Sequence, residues 1–262
     1  MATAAIAYGE RRFGAAYSVR LLTGLAVLAV LVGFWASQND PRPASHPALM
    51  WVSVGILAAF AAFWILFGKS TLIVNDAGVQ RETIFGQQEM AWSQITETRY
   101  RVTPINIYGH FGLVGYILAM SSKSGRAQLS LELVSGDGKK LKVTSMFRNA
   151  GDAIGIILAR ILPPVVQSVK ARLQRGETVQ FGGIGLSATA VTWKNQTIPV
   201  TQITKAELLR TNLVVKREGK WLAAISVRSD KVPNALVFLE VLESLAPQVK
   251  SSGIDPLARV RM

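Results

Sequence analysis

Two long uncharged runs dominate the hydrophobic pattern near the start of the chain. The first covers residues 21–39, and the second covers residues 43–68 with its apolar part at 48–67. A helix of this length spans about 28 Å, close to the thickness of the hydrocarbon core of a bilayer. The pattern therefore predicts a transmembrane helical hairpin at residues 1–68, with helices at about 18–37 and 48–67.

A cleaved signal peptide is the alternative explanation of the first run, because Arg11, Arg12 and Arg20 precede it. Signal peptidase needs small residues near the cleavage site, whereas Phe34 and Trp35 stand there. A second apolar run also follows at once. These features favour the hairpin.

The distribution of basic residues predicts the orientation of the hairpin. Arginines flank its N-terminal side and a basic region begins at Lys69, whereas the connecting loop contains only Arg42, next to Asp40. Cytoplasmic loops of membrane proteins carry the excess of Lys and Arg. We therefore expect a multi-pass protein of the cell inner (plasma) membrane with both termini in the cytoplasm.

Beyond Lys69 the pattern changes to short alternating strands and turns. Leu129, Leu131 and Leu133 alternate with polar residues, which is typical of a half-buried strand. Asn149 is a good N-cap for a helix that we expect to run to Leu162, before two prolines. Residues 69–162 are thus predicted to form one domain of strands closed by a helix.

The same order of elements returns later in the chain. A Gln-Ile-Thr segment at 94–96 recurs at 202–204, and a Gly-Lys turn follows each copy. Asn234 stands before the last predicted helix, as Asn149 stands before the helix that closes the first domain. An internal duplication is the economical explanation. The predicted second domain covers 178–247, with a basic linker helix at 163–177 before it and a flexible basic tail at 248–262 after it.

This order and spacing of a short strand, a Gly-Val turn, a Trp/Val-x-Gln-Ile element, a hairpin and a capping helix resembles the bacterial membrane-anchored proteins with tandem pleckstrin-homology-like domains. The resemblance covers about residues 70–162 and 178–247. It implies an α+β fold class, in which an N-terminal two-helix transmembrane hairpin precedes two β-barrel or sheet units, each closed by a C-terminal helix. It supplies no catalytic residues and implies a binding or assembly role.

An insertion at 102–126 interrupts the first domain, and its residues 102–122 carry no formal charge. The alternatives for this insertion are a third membrane span, a flap that contacts membrane or a partner, and ordinary buried strands. We interpret His110, within the insertion, as a structural residue. The glycines at 109, 112 and 115 would permit close contact at its tip. The candidate contact residues for a membrane or protein partner are Tyr108, Phe111, Val114 and Tyr116.

The formal charge of +13, from 29 Lys and Arg against 16 Asp and Glu, favours anionic partners. Basic clusters at one hairpin and on the linker helix are candidate contacts for anionic lipid, with a solvated surface as the alternative reading. Lys216, Arg217 and Lys220 occupy the matching hairpin of the second copy. The candidate lipid contacts are Lys139, Lys140, Lys142, Lys170, Arg172 and Arg175.

Motifs for catalysis are not found in the sequence. The chain has no cysteine, which excludes thiolate chemistry, and the glycines at 182, 183 and 185 precede a strand-like segment rather than the helix that a dinucleotide loop needs. We expect no catalytic residues, no cofactor, no metal site and no nucleic-acid binding.

The sequence therefore predicts a non-enzymatic, membrane-anchored binding or scaffold module. The first hypothesis is an accessory or assembly subunit of a larger membrane protein complex, with a protein partner. The alternative is a sensor at the membrane surface whose domains bind lipid headgroups or a peptide.

Overall fold

The computed structural model describes residues 9–15, 70–104, 127–145, 147–209 and 211–251, and also the isolated residues 24, 31, 51, 54, 55 and 58. Within these residues the chain forms four β-sheets and two α-helices. We divide them into a first unit, which contains β1–β7 and α1, and a second unit, which contains β8–β15 and α2.

The first unit consists of a four-stranded sheet, a three-stranded sheet and a helix. The four-stranded sheet has the order β1-β2-β3-β4, and the three-stranded sheet has the order β5-β6-β7, all antiparallel. Its elements are β1 (Arg11–Phe13), β2 (Thr71–Val74), β3 (Gly78–Thr83), β4 (Gly86–Ala91), β5 (Ile95–Pro104), β6 (Ala127–Ser135), β7 (Lys140–Thr144) and α1 (Ala150–Gln174).

The second unit repeats this order and adds one short strand at its end. Its sheets have the orders β11-β10-β9-β8 and β14-β13-β12-β15, and β15 pairs in parallel with β12. Its elements are β8 (Val179–Phe181), β9 (Ile184–Leu186), β10 (Ala190–Trp193), β11 (Gln196–Pro199), β12 (Ile203–Leu209), β13 (Asn212–Arg217), β14 (Ile225–Arg228), α2 (Ala235–Leu245) and β15 (Lys250–Ser251).

Local geometry repeats together with the order of the elements. The pairing shifts register between Ile95 and Glu97 in β5, and again between Ile203 and Lys205 in β12. Each helix is preceded by an asparagine in the left-handed conformation, with φ 54° at Asn149 and φ 52° at Asn234. Asparagine tolerates this conformation better than other residues with a Cβ, which explains the choice at both helix starts.

One continuous hydrophobic core joins the two units. Ile157 of α1, Ile203 of β12 and Phe238 of α2 are fully buried members of the same cluster as Leu131 of β6. The helices α1 and α2 contact each other directly. Because α1 contributes buried residues along its whole length, it packs as a shared core element rather than as the cap of the first unit alone.

The free edge of β5 is covered by the segment that leads into α2. The backbone N–H of Asn234 donates to the carbonyl of Thr98 at 2.8 Å, and the Asn234 side-chain oxygen accepts from the Thr98 N–H at 2.8 Å and from its hydroxyl at 3.0 Å. Nearby, Arg101 lies 3.5 Å from Asp230, which also pairs with Arg228. The pKa of Asp230 is lowered by the hydrogen bond from Arg228 and, to a lesser extent, by the charge of Arg101.

The fold class predicted from the sequence is wrong. The two α-helices whose bounds the structure gives, α1 and α2, both lie after residue 149, the other elements are mainly strands, and the segment before the first apolar run forms β1, which pairs with β2. Apart from the six isolated positions, the predicted helices at about 18–37 and 48–67 lie outside the described residues. Length and lack of charge are necessary for a membrane span, but they do not assign a fold.

The predicted multi-pass location in the inner membrane is wrong for a related reason. Within the described ranges, α1 is the single helix long and apolar enough to cross a membrane, and 44% of its most apolar window is buried inside the protein. A core helix meets the same criteria of length and composition. No second candidate span is found among these residues.

A single helix replaces the two that the sequence predicts between 149 and 176. The helix α1 continues through Pro163 and Pro164, both of which are exposed. The prolines remove the donors for the carbonyls of Ala159 and Arg160. Ala159 is exposed and Arg160 is half-buried, so solvent can satisfy these carbonyls and the helix does not have to end.

Candidate functional site

The predicted lipid contacts on the first unit's hairpin form local ion pairs. Lys139 lies 3.0 Å from Asp137, while Lys140 and Lys142 lie 3.5 Å and 3.3 Å from Glu132 on the neighbouring strand. Glu132 faces Lys142 directly in the register of β6 and β7. The positive charge of this hairpin is therefore largely matched by carboxylates of the same unit.

Two of the three predicted lipid contacts at the end of α1 also pair with a carboxylate. Arg172 and Arg175 each approach Glu177 to 2.8 Å, and their hydrogen bonds lower the pKa of the Glu177 carboxyl. Lys170, on the same helix, is half-buried and lines a cavity of 310 Å³ beside α2. The structure thus places these three cations around one end of α1 and does not join them to the hairpin cluster by any described contact.

The candidate contact residues of the insertion, Tyr108, Phe111, Val114 and Tyr116, lie outside the described residues. Their role as a membrane or partner contact stays a prediction. The described ends of the insertion are the strands β5 and β6, which pair from Ile95 to Pro104.

The hairpin that joins β13 to β14 in the second unit differs from its first-unit counterpart. A turn at Gly219, with φ 68°, follows β13, and the N–H of Lys220 donates to the carbonyl of Arg217 at 3.3 Å. The chain rejoins the sheet where the Ala224 N–H donates to the Val215 carbonyl at 2.9 Å. Residues 218–223 therefore protrude between the two strands, whereas a tight turn at 136–139 connects β6 to β7.

The end of β13 and the protruding residues that follow it, which together we call the 216–222 hairpin, combine cations with exposed apolar side chains. In the described part of the chain, none of its cations, Lys216, Arg217 and Lys220, is paired with a carboxylate. Trp221 is 92% exposed and Leu222 is 74% exposed. Two adjacent large apolar side chains at this exposure, next to unmatched cations, make the hairpin a candidate contact surface.

An open groove of 440 Å³ runs beside the 216–222 hairpin. Strand β11 forms one wall and the hairpin forms the other, with donor groups from both sides. Such donors can hold an anionic group by charge-assisted hydrogen bonds. The lining residues are Gln196, Thr197, Ile198, Arg217, Lys220, Leu222, Ala223 and Ala224.

Sequence reasoning found the cations of this hairpin but missed Trp221 and Leu222. The signal was present, because an apolar pair directly after a Gly-Lys turn stands where a hairpin connection is expected to be polar. In the first unit the corresponding turn, residues 136–139, contains only small and charged residues.

The groove beside the 216–222 hairpin offers hydrogen-bond donors and positive charge. Among the described residues, no group of three or more acidic or histidine side chains is placed to hold a metal ion. The groove supplies cations and neutral donors but no carboxylate or histidine. The expectation of no catalytic residues and no cofactor stays a prediction.

Comparison with known proteins gives a family without an assigned activity. No curated protein matches the chain. The resemblance to pleckstrin-homology-like proteins stays a prediction. A family model described as a family of unknown function, DUF6585, matches residues 1–251, and the chain therefore belongs to the DUF6585 family.

Proposed function

We propose that the protein is a non-enzymatic binding module that holds an anionic partner at the 216–222 hairpin. The observation that carries the proposal is the difference between the two hairpins. Carboxylates match the cations of the first-unit hairpin, whereas Lys216, Arg217 and Lys220 have no such match in the described part of the chain. Cations without local partners are free to pair with a ligand.

The groove supports the same proposal. Arg217 and Lys220 lie on one wall, and Thr197, with its neutral hydroxyl, lies on the other. Arginine offers a planar fork of donors and lysine offers a mobile point charge, so the pair suits phosphate or carboxylate oxygens. The overall charge of +13 adds long-range attraction for an anion.

Removal of the unmatched cations tests the proposal. In the variant Lys216→Gln/Arg217→Gln/Lys220→Gln we expect affinity for soluble inositol hexakisphosphate to fall by at least about tenfold, since hydrogen bonds to charged groups contribute about 1.5–3 kcal/mol each. The measurement is isothermal titration of the full chain at low and at physiological salt.

The first-unit hairpin provides the matched control. The variant Lys139→Gln/Lys140→Gln/Lys142→Gln removes the same charge from the corresponding hairpin of the first unit, and we expect it to bind almost as the unaltered chain does. Equal losses in the two variants would mean that only net charge matters, and no loss in the second-unit variant would refute the proposed site.

An accessory role in a protein complex is the second candidate function. The turn between β3 and β4 exposes Phe85 at 81% and Ile84 at 42%, and these two residues form a separate apolar tip on the first unit. Isolated apolar residues are common on surfaces, but an aromatic side chain at a strand turn is a typical anchor in protein interfaces.

Substitution of Phe85 tests this second candidate. We expect the unaltered chain to co-purify in mild detergent with a stoichiometric protein partner, and we expect Phe85→Ser to release that partner because its apolar anchor is lost. Lys194→Ser, at the equivalent turn of the second unit, is the control and should retain the partner. A chain that purifies alone, or a Phe85→Ser variant that keeps its partner, would contradict the accessory role.

A further inference from the structure

We infer that the anionic partner of the 216–222 hairpin is the surface of a lipid bilayer, into which Trp221 and Leu222 insert. This inference rests on the proposed function and names the ligand class. The cations would remain at the level of the lipid phosphates while the two apolar side chains enter the boundary between headgroups and acyl chains. The binding is peripheral and requires no spanning segment.

The composition of the hairpin fits the boundary region of a bilayer. Tryptophan is enriched at membrane–water interfaces because its ring is apolar and its N–H is polar. Trp221 is the most exposed large apolar side chain among the described residues, and Leu222 follows it directly in the chain. Lys216, Arg217 and Lys220 stand within six positions of them. Basic residues near an anionic leaflet add attraction that falls off within a Debye length.

The architecture presents this apolar pair outward on a rigid base. Strand β13 pairs with β12 on one side and with β14 on the other, so the hairpin is anchored inside a sheet. Val215, at the base of the hairpin, is fully buried. The base of the hairpin is therefore ordered before binding, which lowers the entropic cost of placing the tip in the bilayer.

Other occupants fit the tip less well. Trp221 is not among the residues that line the neighbouring groove, so a peptide bound in that groove would cover Leu222 but not the more exposed ring of Trp221. A second copy of the chain would bring like charges together. The chain's own terminal residues, 252–262, carry Arg259 and Arg261 against Asp255, so they do not complement the cations.

A fluorescent label at the tip tests the inference directly. Because the chain has no cysteine, Leu222→Cys gives one site for an environment-sensitive dye such as NBD. With vesicles of phosphatidylcholine and phosphatidylglycerol we expect a blue shift of the dye and quenching by nitroxide-labelled acyl chains. With phosphatidylcholine alone we expect neither change. Because the label reports local depth, other membrane-active parts of the chain do not affect the readout.

Two further variants sharpen the test. Lys139→Cys carries the dye at the equivalent hairpin of the first unit and should show no blue shift. Addition of Trp221→Ala to the Leu222→Cys chain should lower the affinity for anionic vesicles, read from the lipid concentration at half-maximal blue shift, by about tenfold or more, because burial of a large apolar side chain contributes about that factor. Lys139, Trp221 and Leu222 are all exposed, so none of these substitutions should unfold the protein.

The outcomes separate the inference from the proposed function. A shift at residue 222 with anionic vesicles, absent at residue 139, supports insertion. If the chain binds inositol hexakisphosphate but residue 222 shows no shift, the proposed function stands and a soluble or protein-borne anion replaces the bilayer. If it binds neither probe, both proposals fail.

Discussion

Replacement of Ile203 by alanine is expected to lower the free energy of unfolding by about 2–5 kcal/mol, the usual cost of an Ile-to-Ala cavity in a packed core. Ile203 is fully buried at the start of β12, and Ile95 occupies the corresponding place at the start of β5 with 8% of its surface exposed. Ile95→Ala should therefore have a cost in the same range. Denaturation in guanidinium, followed by tryptophan fluorescence, measures both.

The shape of the transition is the second part of this prediction. One hydrophobic cluster contains Ile95, Ile203 and the buried residues of α1, so each substitution should shift a single cooperative transition. The exposed Ile84 serves as the control, because Ile84→Ala should change stability by less than about 0.5 kcal/mol. Two separate transitions, only one of them shifted by each core substitution, would show that the units fold independently.

Local patterns in the sequence predicted many of the elements correctly. The alternation at Leu129, Leu131 and Leu133 predicted a half-buried strand, and β6 buries all three side chains. Asn149 was predicted to precede a helix as its N-cap, and α1 begins at Ala150, but the Asn149 side chain makes no capping hydrogen bond. Both predictions depend on the residue types of a few neighbouring positions.

The features that the sequence did not predict depend on contacts between distant segments. Strand β1 is three residues long and mostly exposed, and its partner β2 begins at Thr71. The contact of Asn234 with Thr98 joins residues 136 positions apart. The continuation of α1 beyond Leu162 depends on which side of the helix faces solvent. None of these leaves a periodic signal in the chain.

The candidate site shows the same division between local and distant information. The cations of both hairpins are visible in the sequence, but the cross-strand placement of Glu132 opposite Lys142 decides which of them stay unmatched. That register follows from the pairing of β6 with β7. Similarly, the apolar character of Trp221 would place it in the core, and it is exposed because the segment between β13 and β14 is long enough to protrude from the sheet.

Removal of the Asn234 side chain should strongly weaken the joint between the two units. Asn234→Gly retains access to the left-handed conformation at φ 52°, because glycine adopts it freely, but it removes the acceptor of the Thr98 N–H and hydroxyl. Thr98 is only 2% exposed, so its donors cannot turn to water. We expect a loss of about 2–4 kcal/mol, since each buried donor left without a partner costs about 1–3 kcal/mol.

Asn149 provides a matched control for this prediction. It has the same backbone conformation and the same position before a helix, it is exposed, and its side chain makes no capping hydrogen bond. Asn149→Gly should therefore change the free energy of unfolding by only a few tenths of a kcal/mol, in line with glycine's mild effect at such positions. Hydrogen exchange adds a local readout, because the Thr98 amide should exchange faster in Asn234→Gly than in Asn149→Gly. Equal losses of stability in the two variants, with unchanged exchange at Thr98, would show that the asparagine acts through backbone conformation alone and that the units are held together by their shared hydrophobic core.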